Sequence, residues 1–245
     1  MDESKIPENI ILTIYYTKHI DPQRIIHQKN NNFLYIKKFY QSVVKNNMHA
    51  IIFHDNLTNE FVQKYANDNI MFMPIPLNIE KYGLTSMNDI RFMIYLDFLK
   101  NNFAKSIKKI IISDVADVEF NANIFDHITE NKLYVCYDRN RTFNHYYLTN
   151  RIKLTYLSNN HFVKYMDKKA LQAGLFAGNY DQIVQCLNHM KDEFNNIVDK
   201  NYNTNYIVYN HVVYDKMADD LVFSNNGIDI KAKCGKSYKY LSWKP

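Results

Sequence analysis

The stretch Lys109-Ile110-Ile111-Ile112-Ser113-Asp114-Val115-Ala116-Asp117-Val118 decides the fold. Consecutive isoleucines bounded by polar residues read as a strand buried on both faces, because a half-exposed strand would alternate apolar with polar. The strand runs directly into two carboxylates, Asp114 and Asp117. Working outward, the same kind of run recurs upstream. Ile10 to Tyr16, Ala50 to Asp55 and Ile70 to Met73 are short and apolar, the last stopped by Pro74 and Pro76. Between them the apolar period changes. Phe33, Ile36, Tyr40 and Val43/Val44 recur at helical spacing, and Glu60 to Ala66 reads as a short helix. Phe92, Leu96, Leu99 and Phe103 mark a longer helix, with Ser86 and Asn88 as caps. Strand and helix alternating, with continuously apolar strands, predict an α/β fold whose mainly parallel sheet is flanked by helices. Such sheets bind ligands beyond the carboxyl ends of their strands, which singles out Tyr16-Thr17, His54-Asp55 and the Asp114 to Asp117 turn.

Downstream the pattern loosens. Leu133 to Tyr137 reads as a further strand. Asn179, with Gln182 three residues on, resembles a capping box opening a helix striped with Ile183, Leu187, Met190, Phe194 and Ile197. Tyr206 to Tyr214 fits helix or strand, Leu221-Val222-Phe223 fits a last strand, and Lys231 to Pro245, with the lone Trp243, forms a Lys-rich tail. No repeat and no linker interrupts the chain, so a single domain over 1–245 is expected.

At 47% hydrophobic and 22% charged residues, the composition excludes disordered, collagen-like and coiled-coil classes. Lys+Arg 30 against Asp+Glu 25 leaves +5, too dilute for the basic stripe of a nucleic-acid binder, so no nucleic-acid partner is expected. Cys136, Cys186 and Cys234 make no metal-type pair, and the nine His lack close ligand spacing. The sparse cysteines argue for reduced thiols. Met1 to Lys5 is too polar for a secretory signal, and no apolar run approaches the roughly 20 residues of a membrane helix. A cytoplasmic location is expected, with peripheral membrane association left open.

Two carboxylates directly after a buried strand can take a hard divalent cation, which in turn neutralises a diphosphate. The plainer alternative is a turn cap beside a solvated Asp. Arg91 and Tyr95 lie one helical turn apart on the same face of an otherwise very apolar helix. A guanidinium there needs a carboxylate or a phosphate, since burying it alone is costly. Asp89 and Asp114 are the candidate partners, in a structural or a ligand-organising pair.

The runs IIFHDNLTNEFVQKY (51–65), SMNDIRFMIYLDFL (86–99), KKIIISDVADVEFNANIF (108–125) and LQAGLFAGNYDQIVQCLNHM (171–190) resemble, in order and spacing, the nucleotide-sugar glycosyltransferases of the GT-A fold. The resemblance covers most of residues 6 to 215. It implies a GT-A-like, Rossmann-type mixed sheet, with a nucleotide-binding half over about 6–120, an acceptor and sugar half over about 121–230 and the basic tail 231–245. It also implies a DXD-like motif at Asp114-Val115-Ala116-Asp117, one residue longer than the family's. The motif would hold Mn²⁺ or Mg²⁺ against the diphosphate of a UDP-sugar.

Carried over residue by residue, the resemblance places Tyr15, Tyr16 and Thr17 along the nucleotide pocket and Asp55 at the base or ribose. Arg91 would organise the acidic motif or contact the diphosphate. Asp114 would reach the ribose or the metal, and Asp117 the metal. Ala173 to Gly178 resembles a small-residue turn beside the donor sugar, with Gly174 admitting a close approach. Gln172 stands where the family often has Asn, and Asn203 or Asn205 where it has Asp. Many members use a late His as a further metal ligand, whereas the last His here is His211. Lys236, with Ser237 and Lys239, would close over the diphosphate as a basic lid in place of part of the cation's charge, the plainer alternative being a basic surface tail.

The implied activity is metal-dependent transfer of a sugar from a nucleotide-diphosphate sugar to a carbohydrate or other hydroxyl acceptor. Asp138, Asp181 and His211 are candidate bases. Two other classes compete. A catalytically inactive GT-A scaffold would bind sugar or nucleotide only. A sugar nucleotidyltransferase would need a Gly-rich basic loop after the first strand, where this chain reads Tyr16-Thr17-Lys18-His19-Ile20-Asp21.

Overall fold

Every residue of β1 (Asn9–Tyr15) beyond Asn9 is buried, as a strand between two helical layers must be. The computed structural model describes residues 6–21, 26–75, 78–101, 104, 106–129, 131–156, 160–200, 203–223, 230–234 and 237–241. After β1 come the hairpin strands β2 (Ile20–Asp21) and β3 (Ile26–His27), then α1 (Phe33–Lys45), β4 (Ala50–His54), α2 (Asn59–Tyr65) and β5 (Ile70–Pro74). Next are α3 (Met87–Leu99), β6 (Lys109–Ser113), β7 (Val118–Phe120), β8 (Leu133–Thr142) and α4 (Tyr146–Tyr156). The chain continues through β9 (Lys169–Asn179), α5 (Tyr180–Asn196), α6 (Asn205–Lys216), β10 (Leu221–Phe223), β11 (Ile230–Cys234) and β12 (Ser237–Leu241).

The main sheet has the order β10-β8-β9-β6-β1-β4-β5. β1 pairs in parallel with β4 and β6, β4 with β5, and β10 with β8, whereas β9 runs antiparallel to both β6 and β8. The architecture is α/β, with a mixed, mostly parallel open sheet flanked by helices. From β1 the chain builds outward through β4 and β5, then returns to lay β6 on the other side of β1. That reversal opens a crevice beyond the carboxyl ends of β1 and β6, where doubly wound sheets bind ligands.

Alternation along the strands divides the apolar side chains between two cores. Ile10, Leu12 and Ile14 of β1 and Ile110 and Ile112 of β6 join Phe92 of α3, Leu187 of α5 and Val212 of α6. Ile11, Tyr15 and Ile111 turn to the other face, with Phe39 of α1 and Phe61 of α2. α3 is buried around nearly its whole circumference, which is why it carries apolar residues on all sides. Phe176 of β9 stacks on Tyr209 of α6 with ring centroids 4.8 Å apart and meets Phe92 at 6.3 Å, tying α3 and α6 to the sheet.

Residues 173–178, expected as a turn, lie inside strand β9. Their glycines serve proximity rather than chain reversal. Neither Gly174 nor Gly178 has a positive φ, and a Cβ on Gly178 would stand 3.0 Å from the Lys132 carbonyl oxygen. The capping box does not form: Asn179 makes no side-chain cap bond and its amide reaches Asn131 Oδ1 at 3.3 Å. Tyr206 to Tyr214 is helical, within α6. The expected tail instead contains the antiparallel pair β11-β12, whose first strand also pairs with β7. Phe103 and Trp243 lie outside the described residues. Among the described residues no helix is long and apolar enough to cross a membrane.

Candidate functional site

Period-two alternation aims the acidic turn. Ile110 and Ile112 face α3, so Asp114 faces it too, while Val115 turns with Ile111 into the opposite core and pins the bend. The Asp114 amide donates to the Gly174 carbonyl at 2.8 Å, fastening the turn to β9. Gly174 lies against the same carboxylate. A Cβ there would stand 2.2 Å from Asp114 Oδ2 and 2.6 Å from its Cγ, far inside van der Waals contact.

From α3, Arg91 reaches Asp114, with Nη1 donating to Oδ1. The side chains are 8% and 34% exposed, so the carboxylate is the member of the pair that meets solvent. Burial opposes the charge on Arg91, yet the adjoining Asp114 carboxylate raises its pKa and keeps it a cation. Burial also pushes the Tyr95 hydroxyl up, so it stays neutral. The sequence left Asp89 and Asp114 as partners for Arg91, and the geometry selects Asp114.

Asp89 has another task. It is fully buried and accepts from the Thr204 amide and hydroxyl at 2.9 Å each and from the Asn205 amide at 2.8 Å. A carboxylate from α3 thus satisfies the orphan donors at the start of α6. This bond set places Asn205 and Tyr206 in the pocket wall. Burial pushes the Asp89 carboxyl up to about 6, against the lowering by its Thr204 and Asn205 donors and by Arg91.

A folded pKa above the unfolded value of about 3.9 means that, between about pH 4 and 6, the folded chain keeps a proton that the unfolded chain has released. The stability contributed by this group is greatest below about pH 4 and falls as the pH rises to about 6. In urea denaturation, the advantage of the wild type over Asp89→Asn is expected to shrink across that interval and level off above it. An advantage independent of pH would refute the raised pKa.

The pocket has a volume of about 410 Å³, the size of a small-molecule site. Asn88, Arg91, Asp114 and Asp117 line it from the switch point, and β9 adds Gln172, Ala173 and Gly174. β8 adds Asp138 and Arg141, and α4 adds Tyr147, Leu148 and Arg151. The pairing of β8 with β9 shifts register between Val135 and Thr142, so Asp138 and Arg141 sit on an irregular stretch beyond the regular ladder. Tyr206 donates to Asp138 Oδ2 at 2.9 Å; burial, reinforced by that carboxylate, raises its pKa and keeps it a neutral donor. Arg151 donates to the Tyr147 hydroxyl at 3.0 Å and to the Asn203 carbonyl.

Of the expected site residues, Arg91, Asp114, Asp117, Gln172 and Gly174 converge in this pocket, as does Asp138. Tyr15, Tyr16, Thr17 and Asp55 do not line it. Tyr15 is fully buried; its hydroxyl donates to the Lys29 carbonyl and accepts from the Asn32 amide, so it braces a loop. Asp55 accepts from the Thr17 and Lys18 amides at 2.8 and 2.9 Å and holds the segment after β1 closed. Tyr16 acts from behind, donating to Asn88 Oδ1 at 2.9 Å and so orienting a lining residue. Asp181 is exposed in the first turn of α5, and His211 is buried against Tyr156 and Phe162; neither lines the pocket. Lys236 lies outside the described residues, as do the side chains of Ser237 and Lys239.

Spacing alone did not reveal Arg141, Tyr147, Arg151 and Tyr206. Composition held a signal: five of the 30 basic residues are arginine (Arg24, Arg91, Arg139, Arg141 and Arg151), and three of those five line this pocket. A planar, permanently charged fork is what lysine cannot supply. No protein-family model matches the chain, and none of the curated proteins matches it either.

Proposed function

We propose that the protein is a metal-dependent glycosyltransferase that moves a sugar from a UDP-sugar to a hydroxyl of a carbohydrate acceptor. The observation that carries this reading is the convergence of the Asp114 to Asp117 turn, Arg91 and Gly174 in one pocket at the sheet's switch point. The likeness of four ordered segments to GT-A glycosyltransferases supports it. The closed, glycine-free segment after β1, held by Asp55, speaks against the triphosphate grip of a nucleotidyltransferase.

The donor set suits the metal. Two carboxylates, with substrate phosphate oxygens and water completing the shell, match the hard-oxygen preference of Mg²⁺ and Mn²⁺. Bound there, the metal would neutralise charge on the departing nucleoside diphosphate. Arg91 holds Asp114 in one orientation, and Gly174 leaves room for that carboxylate beside β9. Asn88, Gln172 and Asn205 offer neutral donors and acceptors to sugar or ribose hydroxyls.

Calorimetric titration of UDP, then GDP, with and without Mn²⁺ tests the reading on the wild type and Asp117→Ala. Metal-dependent micromolar binding is expected, weakened at least about tenfold in the variant, a loss of roughly 1.4 kcal/mol. If neither nucleotide binds at millimolar concentration with metal present, the reading is wrong. Hydrolysis or transfer of a bound UDP-sugar then separates an enzyme from an inactive scaffold.

A further inference from the structure

The charges of the pocket divide unequally between its two ends. At the β6 end two carboxylates, Asp114 and Asp117, stand with one guanidinium, Arg91, which pairs with Asp114. At the β8 end one carboxylate, Asp138, stands with two guanidiniums, and it already accepts from the Tyr206 hydroxyl. Among the described residues Arg151 donates to uncharged oxygens, the Tyr147 hydroxyl and the Asn203 carbonyl, and makes no ion pair. Arg141 makes no ion pair among the described residues, although it lines the pocket. An excess of cationic forks facing a cavity is a recognition surface for a carboxylate or a phosphate.

The two ends are built on different elements, the acidic turn on β6 and the arginines on β8 and α4. β9 lies between β6 and β8, and neighbouring strands are about 4.8 Å apart, so the backbones of β6 and β8 are about 10 Å from each other. β6 and β8 both run antiparallel to β9, so their carboxyl ends open on the same side. Ile112, Phe176 and Val135 share one row of the sheet. Asp114 follows that row by two residues, whereas Arg141 follows it by six. A diphosphate held at the acidic turn therefore leaves Arg141 and Arg151 for a second group. Tyr147, 45% exposed and held by Arg151, adds an aromatic face beside them.

We propose that the acceptor is an acidic saccharide whose carboxylate or phosphate is held by Arg141 and Arg151, with Tyr147 stacking on its ring. The word acceptor rests on the transferase reading; the anion subsite rests on the arginines alone.

The test titrates a uronate-terminated disaccharide, a phosphate-terminated one and their neutral parent into the full chain, followed by NMR. Wild type, Arg141→Gln and Arg151→Gln are compared, with a UDP–Mn²⁺ titration on the same samples. At least one acidic sugar is expected to bind about tenfold more tightly than the neutral parent. Each glutamine variant is expected to erase that preference while leaving UDP binding unchanged. The sugar that wins identifies the anion as carboxylate or phosphate. Equal affinity for acidic and neutral sugars, or no binding of either acidic sugar at tens of millimolar, overturns the proposal. Arginine variants that lose UDP binding instead also overturn it, since the arginines then serve the donor's diphosphate. An acidic preference in a protein that binds no UDP sinks the donor reading and leaves the subsite standing.

Discussion

Asp89→Ala is expected to destabilise the protein by about 3–5 kcal/mol, because it strands buried donors that have no route to water. Both oxygens of the carboxylate are engaged, and the residue has no exposed surface. Removing it leaves the Thr204 amide, the Thr204 hydroxyl and the Asn205 amide unpaired at the start of α6. The first turn of that helix carries Asn205 and Tyr206 into the pocket, so the loss is not only one of stability. Urea denaturation supplies the free energy. Fluorescence or NMR shifts of the pocket residues report whether Asn205 and Tyr206 leave their places. A loss below about 1 kcal/mol would mean that water reaches these donors after all. Should Asp89→Ala fail to fold, Asp89→Asn keeps one acceptor and is expected to lie between it and the wild type.

Gly174→Ala is expected to remove most of the affinity for a nucleotide–metal pair, by about a hundredfold or roughly 2.7 kcal/mol. The new methyl would fall 2.2 Å from Asp114 Oδ2, so the carboxylate must swing away. It cannot do so freely, because Arg91 grips it from α3. Rotation of Asp114 therefore breaks a half-buried ion pair and strands the buried Arg91, and the fold is expected to lose about 1–3 kcal/mol as well. The stability loss checks the geometry whatever the ligand proves to be. An alanine variant as stable as the wild type would show that Asp114 does not sit against β9. Gly178→Ala serves as a control: its Cβ would meet a carbonyl oxygen at 3.0 Å, outside the pocket, so it is expected to cost stability without changing ligand affinity.

The strand and helix order was legible in the sequence because hydrophobic period is a local property of the chain. Ile10 to Tyr16, Ala50 to Asp55 and Lys109 to Ser113 read as buried strands, and the structure has buried strands at Asn9–Tyr15, Ala50–His54 and Lys109–Ser113. The acidic turn was legible for the same reason, since a strand's end is visible where its apolar run stops. β9 was not. Its small residues and glycines carry the local signature of a turn, and only the nearness of Asp114 and Lys132 explains why a strand must be so narrow there. α6 was ambiguous because it is buried on nearly every side and shows no amphipathic period.

The site itself divides along the same line. Local spacing was enough to determine that two carboxylates and an arginine-bearing helix belong to an α/β sheet and stand near a strand end. Tertiary structure alone decided which of them meet. Arg91 takes Asp114 across 23 positions, and Asp89, two residues earlier on the same helix, takes Thr204 across 115. Arg141 and Arg151 join them from β8 and α4. The physical reason is that a residue's period along the chain is set by backbone geometry. Which polar groups share one poorly solvated space is set instead by the elements that the sheet order brings side by side.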